Sequence, residues 1–383
     1  MGCTAFGGLM PVVAMMQNIM VERHKLLTNE DILDGISLST LLPGPNLVMV
    51  VAYVGHHLRG GIGAFVSVLG FMLPAFLLVV SLTIAYLKWG QLAMINKLFL
   101  GFVPAISAII IYSAWNFAHK TITNKIEIFL GVTAACLLLV IGGFYITLFI
   151  IFSSAIFGSF IFHNSQVEKA DTNSELQQFI LNKIFSIKFL LTVIFFVSLL
   201  TAFLIPLPII EQNSLANIAI TFSGISLFLF GGGLVSISLI QEIVVDTLAW
   251  VTQTEFITAI AMGQMTPGPI MINVAFIGYK IQGLLGALIA TMAIFFPPTL
   301  LMIIASKLHK LLKKSARIQA ALKGIHAVVV GIIFSTAIIV GQNVAIHWAS
   351  LVIFIIALIV MFRWHINVMW IIPISGIFGL LFY

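Results

Sequence analysis

The sequence predicts an all-α polytopic membrane protein: two inverted six-helix repeats joined by an extra helix, about 13 transmembrane segments in all. Three observations predict it. The 383 residues are 61% hydrophobic and 8% charged, with a mean hydropathy of +1.18. A soluble globule carries about 25% charged residues, so too few are present to cover one. The second observation is a duplication. Phe6-Gly7-Gly8 and Phe230-Gly231-Gly232 stand 224 residues apart, as do Pro43 and Pro267. After the loss of one residue, Ala52/Ala275, Gly60/Gly283, Pro74/Pro297 and Gly101/Gly324 keep an offset of 223. Glycines and prolines in constant register are hard to obtain by chance in an apolar chain. Third, apolar runs near 20 residues fit helices crossing a core of about 30 Å, without the alternation a β-barrel needs.

In order, the expected spans of the first repeat are 2–21, 32–55, 62–87, 98–118, 127–142 and 144–162. The stretch 127–162 is too long for one crossing and divides at Gly142-Gly143. Residues 163–182 are polar and read as a linker, followed by an extra span at 186–206. The second repeat supplies 215–241, 255–279, 281–305, 320–343, 345–362 and 367–383. The domain division is therefore 1–162 for the first repeat, 163–214 for linker and extra helix, and 215–383 for the second repeat. Phe6 follows only five residues where Phe230 follows about fifteen apolar ones, so the chain is expected to start late. No basic start or small-residue cleavage site marks a signal peptide.

Counting Lys and Arg by side gives thirteen with the amino terminus and five opposite, the latter being Arg23, Lys25, Lys88, Lys97 and Lys280. The amino terminus is then cytoplasmic and, with an odd number of spans, the carboxyl terminus outside. The extra helix between six-helix units inverts the second unit.

Chemistry concentrates at Thr40-Leu41-Leu42-Pro43-Gly44-Pro45 and Gln264-Met265-Thr266-Pro267-Gly268-Pro269. The prolines stop a helix, the glycine lets the chain turn, and a new half-helix begins after the second proline with free N–H groups facing the break. In lipid such a break is kept where it meets protein or a wet cavity. A helix amino end favours an anion. The cradles are Gly44-Pro45-Asn46 and Gly268-Pro269-Ile270, with Thr40, Asn46, Gln264, Thr266 and Asn273 as neutral hydrogen-bonding groups. The competing reading is a packing kink. Phe6-Gly7-Gly8 and Phe230-Gly231-Gly232 either unwind a helix at the site or admit a close neighbour.

Acidic residues are few. Asp31 and Glu255, which align, fit helix amino termini, whereas Asp34 and Glu242 are the candidate proton carriers. Lys280 and Arg23 either attract an anion or snorkel to the interface. The nine histidines lack ligand spacing, and Cys3 and Cys136 are isolated, so no metal site, cofactor or disulfide framework is expected. No Gly-x-Ser-x-Gly nucleophile or metal-binding His motif supports an intramembrane enzyme. A passive anion channel stays open, since it needs the same cradles without a coupling carboxylate.

Phe-Gly-Gly in the first span, Leu-Pro-Gly-Pro in the second, Gly-Ala followed by an intramembrane Pro, and the second set at Phe230 and Gln264–Pro269 together resemble the two-domain chromate ion transporter family. The resemblance covers nearly the whole chain. It implies a secondary transporter in the inner (plasma) membrane of a bacterium that exports chromate, with sulfate as a competing or exchanged anion, and confers chromate resistance. The implied partners are that small oxyanion and membrane lipid, without nucleic acid; a homodimer is allowed. The family usually has Gln where Thr40 stands, Pro where Leu9 stands and a His near Val12.

Overall fold

The computed structural model describes residues 2, 9–90, 93–163, 213–230, 235–307, 315–342, 347–364, 366 and 368–383. These residues are helical, with no strand among those described. Helix α1 (Leu9–Met16) widens into a π-helix (Gln17–Arg23) and is followed by α2 (Asn29–Leu41), α3 (Asn46–Trp89), α4 (Ala93–Thr121), α5 (Lys125–Val140) and α6 (Phe144–Ile161). The later part holds α7 (Leu215–Leu227), α8 (Val235–Gln241) with a second π-helix (Glu242–Thr247), α9 (Gln253–Met265) and a 3-10 turn (Ile270–Asn273). It ends with α10 (Val274–Lys307), α11 (Ala316–Gln342), α12 (Trp348–Trp364) and α13 (Val368–Phe382). Four segments, Asn46–Trp89, Lys97–Thr121, Ile270–Lys307 and Ala316–Gln342, are long and apolar enough to cross a membrane. The extra span expected at 186–206 lies outside the described residues.

Backbone irregularities repeat in the expected register. Both π-helices lead to a residue with positive φ, Lys25 (50°) and Ala249 (51°). Capping boxes then open the next helices, Thr28 with Asp31 for α2 and Thr252 with Glu255 for α9. Donation from the Thr28 hydroxyl, and then from its N–H, holds the Asp31 carboxyl below the usual carboxylate range. Arg59-Gly60 kinks α3 and Gln282-Gly283 kinks α10, where the expected spans divide. The lost residue also has a structural counterpart. After Pro45 the chain enters α-helix directly, whereas after Pro269 it takes a 3-10 turn first. A 3-10 turn rises about 2.0 Å per residue against about 1.5 Å, so fewer residues cover the same distance.

Three expected crossings, 32–55, 255–279 and 215–241, are instead helices folded back on themselves. Asp31 reaches His57 (3.8 Å), and a Cβ on Gly35 would lie 2.6 Å from the Tyr53 ring. Contacts that converge as the sequence closes on Gly44 define an antiparallel hairpin of α2 and the first part of α3. Glu255 pairs with Lys280 and Gly263 abuts Asn273, which makes the same hairpin around Gly268. Phe222 and Trp250 meet at 6.2 Å, so α7 and α8 also fold back across the Phe230 break. The physical reason is at the turns. Gly44 (φ 135°) and Gly268 (φ 128°) adopt a backbone that side chains oppose, flanked by prolines that end the incoming helix. An arm of 13 residues is about 20 Å long, short of the membrane core.

The halves interlock. Beyond its kink α3 runs antiparallel to α10, with Phe65 on Phe296 (5.1 Å) and Tyr86 on Phe276 (5.6 Å). Helix α4 packs on α12 and α13, and α11 packs reciprocally on α5 and α6. Small residues let these backbones touch: Gly101 meets Gly379, and Gly158 meets Gly324. A buried ion pair, Lys323 to Glu127 (2.9 Å), clamps α11 to α5, with Glu127 also capped by the Thr123 N–H (2.6 Å).

Candidate anion site at the hairpin tips

The tips bring Pro43-Gly44-Pro45 and Pro267-Gly268-Pro269 into the bundle against the antiparallel pair α3 and α10. The Gly44 N–H donates to the Leu229 carbonyl (2.7 Å), so the first tip is tied to the tip of the α7–α8 hairpin. A Cβ on Gly44 would lie 2.6 Å from Pro298 Cβ and 3.0 Å from Met49 Sδ. On Gly268 it would meet Ala75 Cβ at 3.0 Å. Since Ala75 and Pro298 are equivalent positions in the two halves, each tip rests on the other half's long helix.

Polar groups divide unevenly between the tips. Thr40 is exposed and donates to the Ser37 carbonyl (2.8 Å), and Asn46, half-buried, opens α3. Thr266 is buried and donates to the Gly263 carbonyl (3.0 Å). Asn273 is 0% exposed, and neither its amide nitrogen nor its oxygen has a partner among the described residues. Gln264 Nε2 is likewise buried and unpartnered. Unpaired buried amides cost about 1–3 kcal/mol each, so this turn carries unmet hydrogen-bonding capacity, two donors and the Asn273 oxygen. The N–H groups of Asn46, Leu47 and Val48 at the start of α3 also lack an acceptor among the described residues. The expectation of free N–H groups holds for this helix start but fails for Gly44 itself, whose N–H is engaged.

Phe6, Gly7, Gly8, Gly231 and Gly232 lie outside the described residues. Asp34 is half-buried in α2, away from the tip. Glu242 opens the second π-helix and accepts from Thr147 (3.3 Å) beside a cavity. Lys280, a candidate anion ligand, is held by Glu255, as His57 is by Asp31 at the equivalent place. Leu229, Pro298, Ala75 and Gln241 carried no sequence signal, because their roles arise from contacts between halves.

Back-folded half-helices with buried, ligand-free donors, set in an apolar helical bundle, define an integral membrane protein of the transporter class. The profile of the chromate transporter family matches residues 1–159 and again 216–380. The chain belongs to that family. It is 26% identical to the chromate transport protein of Cupriavidus metallidurans, over 95% of this chain and 86% of that one. It is also 26% identical to an uncharacterized transporter of Methanocaldococcus jannaschii (100% and 92% covered) and to a probable chromate transport protein of Synechococcus elongatus (94% and 86%). No solved structure matches.

Proposed function

We propose that the chain is a secondary transporter exporting chromate, or a similar tetrahedral oxyanion such as sulfate, across the cytoplasmic membrane and so conferring chromate resistance. The observation that carries the reading is the donor pair Gln264 Nε2 and Asn273 Nδ2, buried and unpaired at a Pro-Gly-Pro turn. A dianion would accept from both amides, and a neutral donor set lets it leave again. The family match and the naming of two relatives as chromate transport proteins support the substrate class.

The halves are read as inverted repeats. Antiparallel α3 and α10 and reciprocal packing of α4 and α11 support a two-fold axis in the membrane plane. Four helices of each half cross, α3 to α6 and α10 to α13, while the hairpins re-enter. The crossing expected in the extra helix, outside the described residues, then leaves the two halves on opposite sides. Re-entry moves Arg23 and Lys25 to the amino-terminal side. Among described cations, nine (Arg23, Lys25, Arg59, Lys120, Lys125, Lys307, Arg317, Lys323 and Arg363) now face Lys88, Lys97 and Lys280. By the positive-inside tendency the larger set is cytoplasmic. Cysteine labelling should place Lys313 inside and Tyr383 outside; both on one side would remove the inverted arrangement.

Coupling to the proton gradient is assigned to Glu242, which borders a cavity, rather than to Asp34. The test is uptake of labelled chromate and sulfate into inverted vesicles under an imposed pH gradient. Uphill uptake should be lost in Glu242→Gln while downhill exchange persists. Flux only down the gradient in the wild type would make the protein a channel.

A further inference from the structure

A cavity of about 370 Å³ lies where the α5–α6 turn, α8 with its π-helix, and α11 meet. Its polar groups are mostly acceptors, with the Gly143 N–H donated to Glu242. Gln241 is 5% exposed and its Oε1 has no partner among the described residues. Glu242 lies beside it, and Asp246 lines the same space at its solvent-exposed mouth. Two of the lining hydroxyls have already given their protons away. Thr147 donates to Glu242 Oε2 (3.3 Å), and Thr336 donates to the Ile332 carbonyl (2.8 Å). The Ser238 hydroxyl is in contact with that of Thr336. Their oxygens remain as acceptors. No Lys, Arg or His occurs among the described lining residues.

One proton would neutralise a single carboxylate and leave Gln241 and the other carboxylate unanswered. A hard monovalent cation answers all of them, because it accepts carboxylate, amide and hydroxyl oxygens at once. The π-helix that carries Glu242 and Asp246 is itself a form frequent at functional sites. The first half repeats the π-helix, with Gln17 and Glu22 aligned to Gln241 and Asp246, but has Asn18 where Glu242 stands.

We propose that this cavity is a sodium site, entered past Asp246 and coordinated by Gln241, Glu242, Asp246 and the Thr147, Ser238 and Thr336 oxygens. It rests on the coupling role assigned to Glu242 above and deepens it, sodium competing with the proton for that carboxylate.

The test is thermal unfolding of the purified full chain in detergent, without oxyanion, as sodium is titrated at constant ionic strength against choline and potassium. A ligand that binds the folded state alone raises the melting temperature in a saturable way. Sodium should do so, and potassium and choline should not. Glu242→Gln should abolish the rise, and Asp246→Asn, at the exposed mouth where folding tolerates it, should move its midpoint to about tenfold higher sodium. Absence of the rise in the wild type overturns the proposal, as does a rise that both variants leave unchanged. Stabilisation by acid alone, with sodium inert, also overturns it and returns the cavity to a proton. Because no oxyanion is present, these outcomes are independent of whether chromate is carried.

Discussion

The two Pro-Gly-Pro tips share sequence, backbone and fold, yet they occupy different environments. At the first, the Gly44 N–H is bonded to Leu229 and the glycine is wedged against Pro298, while Thr40 satisfies itself on its own helix. At the second, a Cβ on Gly268 would meet only Ala75 among the described residues, and Gln264 Nε2 and both Asn273 amide atoms are buried without partners there. The first tip keeps only the backbone N–H groups at the start of α3, whereas the second also retains side-chain polar capacity. A duplicated element can thus keep its geometry in both places while chemistry concentrates in one, because the backbone break needs only Pro and Gly, whereas a ligand needs donors left over.

The largest effect expected from this contrast is at Gly44. Gly44→Val drives its side chain into the Pro298 ring at a backbone angle side chains oppose, a loss of about 3 kcal/mol or more. Little monodisperse protein should survive detergent extraction. A well-folded Gly44→Val protein with normal transport would erase the difference between the tips. Gly268→Ala meets one methyl group instead, and strain alone of about 1–3 kcal/mol should leave a folded protein with reduced transport.

Asn273→Leu removes an unpaired amide, so the melting temperature should hold or rise while oxyanion affinity falls about tenfold or more. Asn46→Ala at the first tip should change affinity less than about twofold. Equal losses at both positions, measured by binding to purified protein, would make the tips functionally alike. The smallest effect concerns the caps. Glu255→Gln loses a cap and the Lys280 pair, whereas Asp31→Asn loses a cap and a longer His57 contact, so the former should cost more by about 0.5–1 kcal/mol. Equal melting temperatures for the two variants would show that the ion pairs add nothing to the caps.

Much of this was legible before any contact was seen. The kinks at Gly60 and Gly283, the division at Gly142-Gly143, the caps at Asp31 and Glu255 and the turns at Gly44 and Gly268 all stand where Gly, Pro and short polar residues place them. Those residues act through their own backbone, which needs no distant partner. Reading 32–55 and 215–241 as single crossings failed for the complementary reason. Two apolar half-helices and one continuous span have the same hydropathy, and only packing between their faces tells them apart.

By itself the sequence determined the membrane class, the duplication and the positions of the breaks, since composition and local stereochemistry are properties of the chain alone. The tertiary structure decided that the breaks are hairpins, that the first tip is braced by Leu229 and Pro298, and that Gln264 Nε2, the Asn273 amide and Gln241 Oε1 are buried without partners among the described residues. Each of these depends on which surfaces of the two halves meet, and a buried group's need for a ligand exists only once its neighbours have been fixed.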